Sequence, residues 1–339
     1  EIAMMKRLPV VVAHHSELAD NGSFLTRDIL GVPLLIVRQS DGSIAAFYNM
    51  CRHRGGKVEC ADAGAKRVFM CQYHGWTFDR DGGTLRNIPF SESFGDIDKE
   101  CYGLLKVRAE ERYGLIWVDF SENADTPIAD YVGPEVDAQL ASFGLDDSVL
   151  FLDEELEVDV NWKLVMDGAN DILHLKFLHP NGVGRLITTG TSAFERFGRH
   201  GQQFSPRKRM ETLAKEGGEV EDIWKYIGSN LRLFPNSMCI LSPDHIEFWT
   251  VWPDLHSPAK CTIKLRFLVR PEILNDEMAE RVTRSWEILK QAALEEDFPM
   301  EMTIQANSNA VPDGHFVYGR SELSIQQFHE QLQAEIVGA

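Results

Sequence analysis

Cysteine and positive charge are both scarce in this chain. Six cysteines among 339 residues are too few for a fold that depends on disulfides. The 34 Lys and Arg residues are outnumbered by 52 Asp and Glu residues, which gives a net charge of −18. A surface of this sign repels the phosphates of nucleic acids and of anionic membranes, so we expect neither as a partner.

Long apolar runs are missing as well. Segments such as Val10–Ala13, Val32–Val37 and Ile44–Tyr48 fall far short of the roughly 20 residues that a membrane span requires. No secretory signal is visible, and we expect a cytoplasmic protein. With 44% hydrophobic and 25% charged residues, the composition is that of a folded protein. At roughly 150 residues per domain, the length predicts about two domains.

The first third of the chain has the pattern of short strands and tight turns. The segments Val32–Val37 and Ile44–Tyr48 are rich in β-branched and aromatic residues, and an Asp-Gly pair between them predicts a hairpin. We therefore predict an N-terminal antiparallel β domain over residues 9–120. Residues 1–8 are expected to pack against one of the two domains.

The remainder, residues 121–339, is predicted to form a second domain of the α+β class. Its first segment, Ser121–Pro134, is polar and contains prolines and a glycine, as expected for a linker. Apolar and polar residues alternate in Glu154–Val160, Ile246–Trp252 and Cys261–Val269. This alternation predicts strands of one large antiparallel sheet, flanked by helices.

The clearest helix pattern runs from Asp276 to Asp297. Apolar residues recur there at steps of three and four, and Asn275 or Asp276 can cap the start. At 100° per residue, Glu296 and Asp297 both fall near the apolar stripe, whereas Glu295 points away. Periodicity therefore excludes Glu295 as an inward-facing acid but does not choose between the other two.

Two Cys/His pairs stand in the N-terminal domain. Cys51 and His53 form a Cys-x-His pair, and Cys71 and His74 form a Cys-x-x-His pair. Zinc knuckles, the alternative, usually pair Cys with Cys and His with His. In a Rieske [2Fe–2S] centre each loop gives one Cys and one His, so the alternation predicts that these four residues bind such a cluster.

A second group of possible metal ligands lies in the C-terminal domain. His174 and His179 are five residues apart, about 140° around a regular helix, so they could share a metal only if the helix ends between them. Pro180 biases His179 away from the helical conformation and favours such an end. Asp171 shares a helix face with His174. The alternative is that these are unrelated polar residues on an amphipathic helix. Two histidines and one carboxylate make the facial triad of non-haem Fe(II) oxygenases.

Taken together, the two groups resemble the catalytic α subunit of Rieske non-haem iron oxygenases, the aromatic-ring-hydroxylating family. The resemblance covers nearly the whole chain. It rests on the Rieske motif, on Asn161-Trp162-Lys163 followed by the histidine pair, and on Glu296-Asp297 followed by Gln305. It implies that His174, His179 and Asp297 bind the mononuclear iron. It also implies that Asp171 links the His74 of a neighbouring subunit to His174 for electron transfer.

The resemblance further implies one Rieske [2Fe–2S] cluster and one mononuclear Fe(II) per chain. Electrons would come from NAD(P)H through a ferredoxin or flavin reductase, and the chain lacks the Gly-x-Gly-x-x-Gly motif for binding the nicotinamide itself. The implied reaction is O₂-dependent hydroxylation, in particular ring dihydroxylation, of an aromatic or related small substrate. Monooxygenation, including N- or O-dealkylation, would use the same iron site, and a Rieske electron carrier is a more distant alternative. We expect a homotrimer, with an additional β subunit as a second possibility.

Three further expectations concern side-chain environments. Residues 166–189 are expected to line the substrate pocket, and Trp249 is expected to belong to the core. The cysteines outside the Rieske motif are expected to be buried as small apolar residues. These cysteines are Cys60, Cys101, Cys239 and Cys261.

Overall fold

The computed structural model describes residues 1–121, 125–220, 222–311 and 313–338. The chain folds into two compact units. The N-terminal unit comprises Met5–Tyr131, and the C-terminal unit comprises Val132–Ala339 together with Glu1–Met4. The boundary expected between residues 120 and 121 stays a prediction.

The N-terminal unit consists of two antiparallel sheets. Seven strands form the larger sheet in the order β1-β10-β9-β4-β3-β2-β5, and three form the smaller one in the order β6-β7-β8. The expected hairpin is present, since β3 pairs with β4 across the Asp-Gly turn. The strands of this unit are β1 Val10–His14, β2 Ser23–Ile29, β3 Val32–Arg38, β4 Ile44–Tyr48, β5 Ala63–Ala65, β6 Val68–Met70, β7 Thr77–Asp79, β8 Leu85–Asn87, β9 Lys106–Arg112 and β10 Leu115–Asp119.

The C-terminal unit is built around one seven-stranded antiparallel sheet in the order β11-β17-β16-β15-β14-β13-β12. The three strands expected from alternation are adjacent in it, as β11, β17 and β16. This confirms the predicted α+β class with a large antiparallel sheet. The strands are β11 Val149–Val158, β12 Ala193–Phe197, β13 His200–Pro206, β14 Ile227–Leu233, β15 Ser237–Leu241, β16 Ile246–Pro253 and β17 Cys261–Val269.

Nine α-helices are described, seven of them wholly in the C-terminal unit. Helix α4 packs against β16 and α9 against β13 and β12, whereas α4, α5 and α6 lie in connections between strands. None of the described helices is both long and apolar enough to cross a membrane. The helices are α1 Ile2–Met5, α2 Ile128–Val132, α3 Pro134–Ser142, α4 Trp162–Gly168, α5 Leu175–Leu178, α6 Lys208–Glu216, α7 Asp276–Gln291, α8 Phe298–Ala310 and α9 Leu323–Val337.

The helix predicted over Asp276–Asp297 is longer and less regular than expected. Its start is capped by the Asn275 side chain, which accepts a hydrogen bond from the Met278 N–H at 2.9 Å. After α7 the backbone continues as a π-helical turn over Ala292–Asp297 and then directly into α8. Pro299 supplies a physical reason, because it has no N–H to donate to a carbonyl one α-turn earlier.

The boundary between the two units falls within the expected linker Ser121–Pro134, whereas the expectation for the cysteines was wrong in part. The segment Ser121–Pro134 contains the short helix α2, and residues 122–124 within it lie outside the described part of the chain. Cys239 and Cys261 are buried in strands as predicted. Cys60 and Cys101 are exposed, because Cys60 lies in a loop and Cys101 in a short 3₁₀ helix, Lys99–Tyr102, that has no buried residue.

Candidate metal centres

The two Cys/His pairs lie on two loops with the same backbone frame. In the first loop the N–H of Cys51 donates to the carbonyl five residues later at 2.7 Å, and the Gly55 N–H donates back to the Cys51 carbonyl at 2.9 Å. Cys71 and Gly75 form the equivalent pair of bonds in the second loop, both at 2.9 Å. Both glycines have positive φ, +77° and +73°, a conformation that favours glycine. The two loops therefore hold their cysteines in the same backbone conformation.

The cysteines and histidines of these loops have different environments. Cys51 and Cys71 are each 3% exposed within the apolar cluster of the N-terminal unit, whereas both imidazoles are partly accessible. His53 stacks on Trp76 with ring centroids 5.1 Å apart and planes at 8°. Burial, together with the nearby Cys71, raises the pKa of the Cys51 thiol. Burial also lowers the pKa of His53, and the neighbouring His74 adds to this effect.

The donor atoms of the two loops converge. Nδ1 of His53 lies 3.1 Å from Nδ1 of His74. Two nitrogens bound to one tetrahedral iron at about 2.1 Å would lie about 3.4 Å apart, so the pair fits a shared metal. Both cysteines are free thiols, and a Cβ added to Gly56 would lie 3.5 Å from the Cys71 Sγ. The four residues therefore fit a cluster held by two thiolates and two imidazoles.

The second histidine pair is brought together by a break in the helix. The short helix α5 begins after His174 and ends at His179, whose backbone leaves the helical region at φ −111° and ψ 49°. The Nε2 atoms of the two rings are 3.1 Å apart. The expected helix end next to Pro180 is thus confirmed, and it removes the 140° separation of a regular helix.

Each of these rings has its other nitrogen paired with a carboxylate. His174 Nδ1 lies 3.1 Å from Asp171 Oδ2, and His179 Nδ1 lies 2.5 Å from Glu296 Oε2. When Nδ1–H donates to a carboxylate, Nε2 is left with its lone pair free to bind a metal. Burial raises the pKa of Asp171, but hydrogen bonds from His174 and from the Leu173 N–H lower it overall.

Asp297 lies on the side of the Nε2 atoms. Its Oδ1 is 3.0 Å from His179 Nε2 and 3.6 Å from His174 Nε2. Ligands about 2.1 Å from one metal and at right angles lie about 3 Å apart, so these three residues fit one face of a metal's coordination shell. Burial lowers the pKa of His179, but its bonds to Asp297 and Glu296 raise it overall. Glu295 is exposed, as the periodicity predicts.

A polar network that sequence reasoning missed lies beside this site. The Asp167 carboxylate accepts hydrogen bonds from His329 Nε2 at 2.9 Å and from the Tyr318 hydroxyl at 3.3 Å. The bond to His329 connects α9 to α4. Burial raises the pKa of Asp167. Glu301 is buried beside Gly168, and burial next to Asp297 raises its pKa to about 8. The sequence offers no signal for His329 or Tyr318, since neither stands at a ligand spacing.

A cavity of about 570 Å³ opens next to the histidine pair. Many of its lining residues come from the segment 168–187, which confirms the expected pocket segment. Trp249 is 6% exposed, as expected for a core residue, but its side chain also lines the cavity. Apolar side chains form much of the wall, and they include Ile172, Leu175, Val183, Leu186, Ile187, Ile240, Leu241, Ile288 and Leu289.

Two family models match the chain. The model described as "Rieske [2Fe-2S] domain" matches residues 9–103, and that described as "Ring hydroxylating alpha subunit (catalytic domain)" matches residues 145–337. The first match decides between a Rieske cluster and zinc for the N-terminal loops. The two domains imply a Rieske [2Fe–2S] cluster and a mononuclear iron.

Curated relatives include both monooxygenase and dioxygenase subunits. The carnitine monooxygenase oxygenase subunit of Acinetobacter pittii is 35% identical over 175 residues, covering 50% of this chain and 46% of the relative. The biphenyl 2,3-dioxygenase α subunit of Rhodococcus jostii is 30% identical over 252 residues, covering 72% of this chain and 51% of the relative. The matched region therefore spans about half the length of these relatives.

Solved structures show the same fold over almost the full chain. A quaternary ammonium Rieske monooxygenase superposes with a TM-score of 0.82 at 21% identity, covering 98% of this chain and 89% of the other. Naphthalene 1,2-dioxygenase with bound indole gives a TM-score of 0.76 at 20% identity, with 99% and 89% coverage. On the family models and the geometry of both centres, the chain belongs to the ring-hydroxylating α-subunit family of Rieske oxygenases.

Proposed function

We propose that the protein catalyses O₂-dependent hydroxylation of an aromatic or related small organic substrate, with ring dihydroxylation as the reaction. The observation that carries this proposal is the convergence of His174, His179 and Asp297 beside a largely apolar cavity. Members of this family use O₂ and a small molecule and receive electrons from partner proteins. An apolar wall next to the metal ligands suits a substrate ring.

The proposed roles divide between the two centres. Cys51, His53, Cys71 and His74 hold the Rieske cluster, and the facial triad formed by His174, His179 and Asp297 holds the iron. When bound, the cluster supplies electrons one at a time and the iron activates O₂ beside the substrate.

Around the iron site, this chain's own residues fix geometry and protonation. Glu296 accepts the Nδ1 proton of His179 and so keeps the ring in the tautomer that binds metal. Asp171 does the same for His174 and, in the proposed assembly, also accepts a hydrogen bond from the partner subunit's His74. It would thereby link the electron donor to the acceptor across a subunit boundary. The cavity wall keeps water away from the substrate.

The proposed assembly is a homotrimer, with an added β subunit as the second possibility. Electrons would arrive from a ferredoxin, a flavin reductase or both. The proposed domain bounds are residues 9–120 for the Rieske domain and 121–339 for the catalytic domain.

Monooxygenation is the second candidate reaction. Carnitine monooxygenase subunits are among the relatives, at 33–35% identity over half the chain, and this similarity supports monooxygenation as the second candidate. Both reactions would use the same ligands and the same supply of electrons.

The test combines metal analysis with isotope labelling. We expect three irons and two sulfides per chain and a Rieske visible spectrum. Turnover under ¹⁸O₂ with a generic reductase and a panel of aromatic and quaternary ammonium substrates should place two labelled oxygens in the product of dihydroxylation and one in that of monooxygenation. Two irons per chain without labelled product would indicate an electron carrier, and zinc alone would overturn the proposal.

A further inference from the structure

Positive side chains are concentrated in the wall of the cavity, although the chain as a whole carries a net charge of −18. Apart from the acids at the iron site, only Asp244 and Glu247 among the described lining residues are acidic. Cationic groups are more numerous. The lining residues that carry them are Arg185, Arg207, Lys208, Arg209 and Arg281, together with His245.

The two acids are already neutralised by neighbours. Asp244 lies 2.6 Å from His245 Nδ1 and 2.6 Å from Arg281 Nε, and Glu247 lies 3.5 Å from His245 Nε2. Burial lowers the pKa of His245, but its bonds to Asp244 and Glu247 raise it to about 9. At neutral pH the group therefore contains two negative and two positive charges, so it does not offset the remaining cations.

Three of the remaining cations are occupied or face solvent. Lys208 Nζ donates to the Gly184 carbonyl at 2.7 Å. Arg185 donates to the Pro180 carbonyl at 3.1 Å and to an Asn side chain at 2.9 Å. Arg209 is exposed and lies over a Tyr ring.

Arg207 differs from these cations. Its side chain is half-buried, and its Nε donates to the Ile227 carbonyl at 3.2 Å. Among the described residues, none accepts a hydrogen bond from its two terminal amino groups. Its backbone is held by the Tyr226 carbonyl at 2.7 Å and by a bridge to Ile187. A guanidinium stays protonated in proteins, so this is a fixed cation with donors free for an anionic ligand.

Arg207 and the three proposed iron ligands line one cavity of about 570 Å³, a volume that can hold a small substrate. Gln203, four residues earlier, donates to the carbonyl of Asn170, the residue next to Asp171. Four residues of strand span about 13 Å. Apolar side chains line the same cavity.

We propose that the substrate carries a carboxylate, which Arg207 binds while the apolar part of the molecule lies beside His174, His179 and Asp297. This inference deepens the proposed function and rests on it. A bidentate pairing between guanidinium and carboxylate also fixes orientation, so Arg207 would select which carbon faces the iron.

The experiment uses acids and their uncharged amides. Benzoate, 3-phenylpropionate and 4-phenylbutyrate, each with its amide, are titrated into the holoenzyme by calorimetry and tested for turnover. The wild type should prefer at least one acid over its amide. In Arg207→Gln that acid-to-amide ratio of affinities should fall about 10- to 100-fold, the loss expected for charge-assisted bonds, mainly through KM. Arg207→Lys should recover part of the ratio.

Arg209→Gln is the matched control, since it removes the same charge from an exposed position of the same wall. It should change the ratio less than about threefold, as expected for a screened surface charge. An equal loss in both variants would mean that only the general field attracts anions, and would overturn the pairing. So would a loss of acid and amide binding in equal measure, or the absence of charge-dependent binding in the wild type. Charge-dependent binding without labelled product would instead reject the proposed function while leaving the Arg207 site standing.

Discussion

At the residue scale, the environment of His179 distinguishes Glu296 from Asp297, two neighbouring acids between which helical periodicity does not choose. Glu296 contacts the Nδ1 side of the ring, and Asp297 contacts the Nε2 side, where the other histidine also points. Glu296 is therefore placed to orient the ring, and Asp297 is placed to share its metal. This contrast leads to different expectations for two adjacent substitutions.

We expect Asp297→Ala to lose the mononuclear iron, because one of three ligands is removed. Glu296→Gln should keep that iron but bind it about 10- to 100-fold more weakly, since the ring loses a charged partner that fixes its tautomer. Iron per chain, measured during titration with a chelator, distinguishes the two, and unchanged sulfide content shows that the cluster is intact. Iron retained in Asp297→Ala and lost in Glu296→Gln would reverse the assignment.

At the scale of elements, the two Rieske loops show how a short motif fixes local structure. Cys51 and Cys71 were identifiable from spacing, and the matched loop bonds follow from glycines placed four residues after each cysteine. The late helix was harder to predict. Its π-helical turn changes the angle per residue, so the directions calculated for Glu296 and Asp297 on a regular helix no longer apply.

The two loop glycines should differ in their tolerance of a methyl group. Gly75 and Gly55 both have positive φ, which costs an alanine about 1–2 kcal/mol. A Cβ at Gly75 would also lie 2.9 Å from Pro89, whereas one at Gly55 would meet only Met50 at 3.9 Å. We expect Gly75→Ala to lose more iron and sulfide per chain than Gly55→Ala.

Gly42 provides the control for this comparison. It has φ +86° in the β3–β4 turn, and a Cβ there would meet nothing within 4 Å. Gly42→Ala should lower thermal stability by the conformational cost alone and leave the cluster content unchanged. Equal cluster loss in Gly42→Ala and Gly75→Ala would show that general destabilisation, rather than loop geometry, governs cluster binding.

At the scale of the whole molecule, the sequence predicted the architecture but not the surroundings of the cavity. The Rieske motif and the histidine pair are local in sequence, and the sheet strands alternate clearly, so these features could be predicted from the sequence. Arg207 and Asp244 reach one cavity from separate strand ends, and His329 meets Asp167 across 162 residues. Such contacts depend on the tertiary fold, which a single sequence does not reveal.

The proposed trimer makes a prediction about which chain supplies electrons to which iron. Cys71→Ala should destroy the cluster of its own chain, and Asp297→Ala should empty the iron site of its own chain, so each variant alone should be inactive. Mixed assemblies, purified with a different tag on each variant, should recover substrate-dependent reoxidation of the cluster by O₂. Recovery requires an electron to pass from the Asp297→Ala chain to the iron of the Cys71→Ala chain.

Asp171 supplies the matched control within these mixed assemblies. It is proposed to connect the partner subunit's His74 to His174 of its own chain, so it matters only in the chain whose iron is used. Adding Asp171→Asn to the Cys71→Ala chain should slow reoxidation by orders of magnitude, because the charge and one hydrogen-bond acceptor are lost. Adding it to the Asp297→Ala chain should leave the rate unchanged. The mixed assemblies must first be shown to contain the cluster of the Asp297→Ala chain and the iron of the Cys71→Ala chain. If reoxidation of the cluster still failed to recover, electrons would pass within one chain.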